Sequence, residues 1–281
     1  PSNQDTSLDR NFLRARVLKM HGRGAPVSMI ALQPRAQGAL QRLLVSVLAP
    51  ERVIVQSGAS AGWLSYLGER VHFAPAGVDM ARFAPAGEAR RRELREQYGI
   101  DAEARVILHA GHINRNRNVQ MLAALAGLEH AHVILAGSSS TPQDAALIGE
   151  LEAAGVRVLT TFQPHIEELY QLADLYVFPS SPATSPEATP AIEVPLSVLE
   201  AMACDLPVVA TRFGGLPAIF EEGDGLLYVD DPNDGREWSE TAGRGLRAGR
   251  GHTRRRVEPY SWQNLLNAVL GVDDYMRARQ P

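Results

Sequence analysis

Residues 193–215 read E-V-P-L-S-V-L-E-A-M-A-C-D-L-P-V-V-A-T-R-F-G-G, and this pattern governs how the rest of the chain is read. The stretch opens with a carboxylate, Glu193, and a tight Pro195-Leu196-Ser197 turn. It then runs into a helix that carries a second carboxylate, Glu200, and ends near Asp205-Leu206. Pro207-Val208-Val209-Ala210 follows as a short buried strand. A turn that enters a helix gathers unpaired backbone N–H groups at the end where the helix dipole favours an anion. Two uses fit. Ser197 and Glu200 have the S-x-x-E spacing of a capping box, which satisfies the helix start by itself. Alternatively the turn, capped by Ser197, holds a phosphate, and Glu200, about one turn further on, accepts hydrogen bonds from the hydroxyls of a sugar.

On the N-terminal side, residues 8–20 scatter apolar positions among Arg10, Arg14, Arg16 and Lys19, the pattern of a partly exposed helix. Residues 27–32 read as a strand, and Leu40, Leu43, Leu44, Val47 and Leu48 then fall on one helical face. A strand at 52–56, a helix at 59–67 and a strand at 71–73 complete a β-α-β-α-β order, which predicts a parallel sheet covered by helices. A charged helix at 90–98 stops at Gly99, and a second α/β unit begins with a strand at 105–110. It continues through helix 118–128, strand 132–136, helix 142–154, strand 156–159, helix 165–172 and strand 175–179. The helix of the opening stretch and strands at 207–210 and 226–229 close a doubly wound, Rossmann-like α/β domain, which binds ligands at the carboxyl ends of its strands. Residues 235–256 are rich in glycine and arginine with a weak helical pattern, and Tyr260-Ser261-Trp262 opens a last helix to about Ala278.

The opening stretch resembles the signature of the retaining glycosyltransferases of family 4, which have the GT-B fold. That signature is E-x7-E, then A-M-A-x-G-x-P-V-V-A-T and a Gly-Gly turn. Residues 200–211 follow it closely, as do Gly214-Gly215-Leu216-Pro217. Two positions depart. Asp205 stands where the family has glycine, and Glu193 lies one residue too close to Glu200, with Ile192 in the family's place. Pro75-Ala76-Gly77-Val78-Asp79-Met80-Ala81-Arg82-Phe83 is similar to the family's P-x-G-V-D-x-x-x-F connector, which follows the last strand of its N-terminal domain. The first strands of such a domain, with their Gly-rich loop and acceptor-side histidine, have no counterpart here. The chain also opens on Pro1 without a Met, so a trimmed chain or fragment is expected. The resemblance implies an incomplete N-terminal Rossmann-like acceptor domain at 1–85, a Rossmann-like donor-binding domain at 86–258, and a C-terminal helix at 259–281 that crosses back.

Candidate site residues follow from both sources. Gly111-His112-Ile113-Asn114-Arg115-Asn116-Arg117 comes after a strand, and two cationic positions there suit a diphosphate, because arginine grips phosphate bidentately. A polar surface loop is the other reading. The family has G-R-L-x-x-x-K-G here, so Arg117 matches its lysine and His112 replaces its arginine. Histidine, with a pKa of ~6.5, supplies no permanent charge, and Arg115 is a possible substitute. Small residues Ser138-Ser139-Ser140 would let a ligand approach the backbone, or form a simple loop. Gln163, Pro164 and His165 fall where the family's base-binding loop lies, with His165 read as a helix N-terminal residue. Residues 180–190 are stiffened by prolines and supply Glu187 as a rival to Glu193. The resemblance implies metal-independent, retaining transfer of a sugar from a nucleotide diphosphate sugar, a co-substrate rather than a cofactor, to an acceptor hydroxyl. His112, Arg117 and the N–H groups of Leu196 and Ser197 would then meet the diphosphate, Glu200 the ribose, and Glu193 the donor sugar as the catalytic residue. The acceptor would be a glycan, lipid or small molecule. The alternatives are a nucleotide-sugar epimerase of the same fold and a degenerate nucleotide-binding module.

Composition limits the other classes. The chain has 281 residues, 45% of them hydrophobic and 21% charged, enough for one or two ordinary cores. A net charge of -4 and a pI near 6.1 argue against nucleic acid as a partner. Arg90-Arg91-Arg92 and Arg254-Arg255-Arg256 read as solvated helix faces. The single cysteine, Cys204, rules out an internal disulfide framework and a cysteine-based zinc site, and reads as core. The eight histidines show no metal-ligand spacing, there is no D-x-D motif, and His109 and His132 read as structural strand residues. No apolar run is long enough to span a membrane and no signal peptide is visible, so a soluble cytoplasmic protein with at most peripheral membrane contact is expected.

Overall fold

The computed structural model describes residues 7–22, 27–31, 37–56, 58–74, 76–137, 142–181 and 194–270. Glu187, Glu193, Ser138-Ser139-Ser140 and the end of the final helix lie outside the described residues. The chain divides into two compact units, one holding the residues up to Gly77 with those from Trp262 onward, the other centred on residues 78–181 and 195–261.

The first unit runs α1 (Ser7–His21), β1 (Ser28–Ala31), α2 (Ala39–Leu48), β2 (Arg52–Val55), α3 (Gly58–Leu64), a 3-10 segment Ser65–Arg70, and β3 (Val71–Phe73). Its strands are parallel in the order β1-β2-β3, as the β-α-β-α-β pattern predicts. Phe12, Val45, Val53, Val55 and Leu64 form its core. The leucine face of α2 is a correction to the amphipathic reading. Val45 packs inward, whereas Leu40, Leu43, Leu44 and Val47 stay exposed, Leu40 by 84%.

The second unit runs α4 (Glu88–Gln97), β4 (Arg105–Gly111), α5 (Leu122–Ala126), β5 (Ala131–Gly137), α6 (Ala145–Ala153), β6 (Arg157–Leu159) and α7 (Ile166–Leu172). It continues with β7 (Leu175–Phe178), α8 (Leu196–Ala203), β8 (Val208–Thr211), α9 (Leu216–Ile219), β9 (Leu226–Val229), α10 (Gly235–Ala248) and α11 (Arg254–Val257). A final helix, α12 (Trp262–Leu270), clusters with the first unit. Six parallel strands in the order β6-β5-β4-β7-β8-β9 form the sheet. Strands β4 and β7 are neighbours although not consecutive, so the strand order switches between them, and such a switch opens a crevice at the carboxyl ends.

Three expectations change here. The helix expected at 118–128 is only α5, because Asn118 takes a left-handed conformation (φ 56) and a 3-10 turn, Val119–Met121, precedes it. The weak pattern at 235–256 conceals a full helix. Asp234 caps α10 by accepting from the N–H groups of Arg236 at 2.8 Å and Glu237 at 3.3 Å. Trp238, Thr241, Ala242 and Gly245 form its buried stripe, and a Cβ at Gly245 would lie 2.7 Å from Leu175 Cδ1. The glycines that blur the helical signal thus include one required for close packing.

The arginine clusters are also not simple solvated faces. Arg91 and Arg95 reach from α4 to Asp174 at 2.6 and 2.7 Å, and Asp174 also accepts the Val106 N–H at 2.8 Å. Arg254 donates to the carbonyls of Phe83, Met80 and Ala203, and Arg256 to those of Glu221 and Gly223. A guanidinium has five N–H donors, enough to join several chain segments through their free carbonyls. Arg92 and Arg255 remain exposed as expected. Cys204 is fully buried, as its apolar setting predicts.

Candidate functional site

The site is built on the first turn of α8. Pro195, with φ -67, occupies the N-cap position, so Leu196 and Ser197 are the first two helical residues and no side chain caps the helix. The S-x-x-E capping box therefore does not form. Both of its side chains turn to tyrosines instead. Ser197 acts on the phenol of Tyr176, opposing the rise in pKa that burial causes, and the Tyr170 hydroxyl donates to Oε2 of Glu200 at 2.9 Å. The N–H groups of Leu196 and Ser197 have no carbonyl within their own helix to reach.

Tyr176 joins this turn to the end of β4. Its hydroxyl donates to the Ala110 carbonyl at 3.2 Å, one residue before Gly111. A Cβ at Gly111 would lie 2.9 Å from Nε2 of His109, so glycine is the residue that fits. His109 is buried, and its Nδ1 lies 2.8 Å from the Val177 carbonyl, which can only accept. Nδ1 therefore carries the hydrogen, and burial pushes the imidazole pKa down to about 4. His132 is likewise a strand residue, partly buried in β5, and burial lowers its pKa too.

Beyond Gly111 the chain bends into the 3-10 turn Arg115–Arg117, capped by the Asn114 side chain, which accepts from the Arg117 N–H at 3.1 Å. The Arg117 guanidinium is half-buried, burial lowers its pKa, and it makes no ion pair among the described residues. His112 is partly buried, and its pKa is lowered first by burial and then by the charge of Arg117. It is neutral at neutral pH. Arg115, the other cation of this turn, is exposed and pairs with Glu150 at 2.5 Å, with Asp144 at 3.9 Å.

Gln163, Pro164 and His165 follow β6. The Gln163 side chain donates to the Thr161 carbonyl at 3.0 Å, and His165 takes the N-cap position of α7 with its Nδ1 3.3 Å from Glu167. Arg82 braces this loop by bonding the Pro164 carbonyl at 3.0 Å and Glu167 at 2.9 Å. Its charge also acts on Glu200, whose carboxyl pKa is raised by burial and lowered by the Tyr170 hydrogen bond and by Arg82. Gly111, Leu196, Ser197 and Glu200 are thus connected through two tyrosines, with Arg117 beside the histidines at the end of β4. Sequence reasoning missed Tyr170, Tyr176 and Arg82. The tyrosines lie in apolar runs that mark them only as core, and nothing local shows where a hydroxyl goes. Among the described residues no group of three or more His, Cys, Asp or Glu could hold a metal ion, and no helix is long and apolar enough to cross a membrane.

Residues 104–247, just over half of the chain, match the family described as Glycosyl transferases group 1. The chain belongs to this family. It is 34% identical over 185 residues to the D-inositol 3-phosphate glycosyltransferase of Arthrobacter sp. (strain FB24), covering 61% of this chain and 41% of the relative. Against the protein of the same name from Mycolicibacterium gilvum (strain PYR-GCK) it is 30% identical over 219 residues, covering 72% and 46%. The chain thus spans less than half the length of these curated relatives. Among solved structures, Anabaena Alr3699/HepE in complex with UDP and glucose shares the fold with a TM-score of 0.70 at 17% identity, over 96% of this chain and 76% of that one. Sucrose-phosphate synthase from Thermosynechococcus elongatus does so with a TM-score of 0.65 at 20% identity, over 86% and 62%. These likenesses agree with the α/β class of parallel sheets flanked by helices that the sequence predicts.

Proposed function

We propose that this group 1 glycosyl transferase moves a sugar from a nucleotide diphosphate sugar to an acceptor hydroxyl, with retention and without a metal or other cofactor. The observation that carries the reading is Arg117, a half-buried guanidinium with no carboxylate partner among the described residues, in the 3-10 turn that follows β4, the strand to whose end the Tyr176 hydroxyl is bonded. Burying a cation without a counter-charge is costly, and a diphosphate supplies that charge with oxygens matched to guanidinium geometry. As the glycosidic bond breaks, negative charge grows on the leaving diphosphate. Arg117 and the N–H groups of Leu196 and Ser197 would stabilise it from fixed positions, with a weaker contribution from His112. Glu200 accepts from the ribose, the loop Gln163-Pro164-His165 meets the base, and Glu193 serves the donor sugar.

Family membership supports this donor class, as does the fold shared with a protein described in complex with UDP and glucose. The name of the relatives makes a phosphorylated inositol the first acceptor to assay, before other glycans, lipids and small molecules. In the domain assignment that accompanies the reading, residues 86–258 bind the donor, 1–85 belong to the acceptor side, and 259–281 form the returning helix. One observation favours a second reading, a nucleotide-binding module without turnover. His112 is neutral at neutral pH where the family has a permanent cation.

The test is a transfer assay on the full-length protein with UDP-, GDP- and ADP-sugars, beside nucleotide affinity measured separately. Glu193→Gln is expected to abolish transfer and leave affinity within about twofold. Full turnover in Glu193→Gln together with its loss in Glu187→Gln would move the catalytic role to Glu187. Nucleotide-sugar binding with no transfer to any acceptor would establish the second reading.

A further inference from the structure

Glu200 is held by a donor from a different helix. The Tyr170 hydroxyl, on α7, reaches Oε2 at 2.9 Å, while Oε1 accepts no hydrogen bond from the described residues. The Tyr170 ring is fully buried, edge-on to Phe83 with centroids 5.6 Å apart and 5.5 Å from the Tyr176 ring. A ring packed on both sides directs its hydroxyl to one point, and a buried phenol is normally given a partner. Here the partner is a carboxylate in a setting that disfavours its charge. Burial acts against ionisation of Glu200, and the groups acting for it are the Tyr170 hydroxyl and then Arg82, from the segment before α4. The other titratable groups nearby are Tyr176 on β7 and Cys204 at the end of α8, the latter beside Arg250, Arg254 and Glu167.

We propose that Tyr170 is a positioning residue whose hydroxyl keeps the Glu200 carboxylate ionised and oriented, leaving Oε1 to accept from a ribose hydroxyl of the donor nucleotide. This rests on the reading of Glu200 as the ribose-binding group. A hydrogen bond to the charged form of a carboxyl favours that form, so removing it makes the group take up a proton at higher pH. A hydroxyl donating to a carboxylate also makes a stronger bond than one donating to a neutral carboxylic acid. Nucleotide binding therefore weakens as pH falls through the Glu200 pKa, and loss of the Tyr170 hydroxyl moves that weakening to higher pH.

Tyr170→Phe keeps the ring and removes the hydroxyl. Binding of UDP, with GDP and ADP in parallel, is measured by calorimetry on the full-length protein from pH 4.5 to 8.5 for wild type, Tyr170→Phe, Glu200→Gln and the double variant. Glu200→Gln cannot titrate, so its profile reports the other titrations of the site and ligand, those of the phosphate and of His112 included, and serves as the baseline. Relative to it, Tyr170→Phe is expected to move the acidic fall in affinity up by about one pH unit, a tenfold effect from one hydrogen bond to a charged group. In the Glu200→Gln background the same change is expected to have little effect. A Tyr170→Phe profile that keeps the wild-type inflection overturns the inference, whatever happens to the overall affinity, because that is what a packing role alone gives. If Glu200→Gln itself binds like wild type at every pH, the ribose-binding reading fails and takes this inference with it. If none of the three nucleotides binds wild type, both are overturned.

Discussion

Substituting Asp205 tests how the helix that carries Glu200 is anchored. Asp205 follows α8 in a left-handed conformation (φ 61), with the Leu206 N–H bonded to the Ala201 carbonyl at 3.1 Å and its own N–H to Met202 at 2.9 Å. That is the closing turn in which glycine is the usual residue, because a left-handed backbone costs a residue with a Cβ roughly 1–2 kcal/mol. Asp205 offsets that cost. Its Oδ1 accepts from the N–H groups of Thr253 and Arg254, both at 3.0 Å, and so caps the start of α11 from a distant part of the chain. Hydrogen bonds to a charged group contribute about 1.5–3 kcal/mol each when well buried, and Asp205 is partly exposed, so roughly 3 kcal/mol for the pair is the low end. Asp205→Ala keeps the strain and loses both bonds, and should destabilise by about 3 kcal/mol. Asp205→Gly loses the same bonds but relieves roughly 1 kcal/mol of strain, so its loss should be about 2 kcal/mol. Urea unfolding followed by circular dichroism on the full-length protein gives the ordering, expected as wild type, then glycine, then alanine. A glycine variant as stable as wild type would refute the argument, because the carboxylate would then contribute nothing beyond its strain.

Two further substitutions probe the candidate site. Arg117→Ala is expected to lower affinity for UDP by roughly 10-fold or more and to leave uridine affinity unchanged, since its proposed contact is phosphate alone; equal losses for both ligands would count against it. His112→Ala should have a milder effect that grows as pH falls, because the imidazole charges only below its lowered pKa. Gly111→Ala places a Cβ 2.9 Å from His109 Nε2 and should cost about 1–3 kcal/mol by overpacking, most of it recovered in a His109→Ser background. Additive losses in that double variant, read by thermal melting, would show that the two residues do not press on each other.

What could be read from the sequence divides along physical lines. Parallel strands buried on both faces are written as short apolar runs, so β4, β5, β7, β8 and β9 fall within a residue or two of where periodicity puts them. Helix α10 was hidden because Gly245, which lies against Leu175, lowers intrinsic propensity at the point where tertiary packing demands it. The arginines were misread for a related reason. Arg254 bonds the carbonyls of Phe83 and Met80 from more than 170 residues away, and no local pattern encodes such a contact. At the site, Glu200 was legible as a carboxylate one turn into a helix and Arg117 as a cation after a strand, and the family pattern set both in register. Ser197 was given a cap that Pro195 occupies instead, and the tyrosines behind the site were legible only as buried rings. Asp205, which stands where the family has glycine, takes a left-handed conformation of the kind glycine adopts most easily and adds two bonds.

On the proposed reading, the electrostatics of the site has an uneven design. Among the described residues the diphosphate end relies on Arg117 as its half-buried permanent cation, because burial and that same cation keep His112 neutral. The rest of its attraction must come from backbone dipoles, the N–H groups of Leu196 and Ser197. Fixed dipoles stabilise developing charge only when they are already in place, since reorienting them during the reaction costs what they would contribute. The burden therefore falls on whatever holds the end of β4 against the first turn of α8, and among the described residues that connection runs through the Tyr176 hydroxyl, between the Ala110 carbonyl and Ser197. Tyr170 does the corresponding work one turn along the helix, on Glu200. The two rings pack 5.5 Å apart, so a disturbance of either one reaches both ends of the proposed nucleotide site. With Arg117 the one half-buried arginine of its turn among the described residues, the site depends more on the rigidity of this buried pair than on the identity of its exposed loop residues.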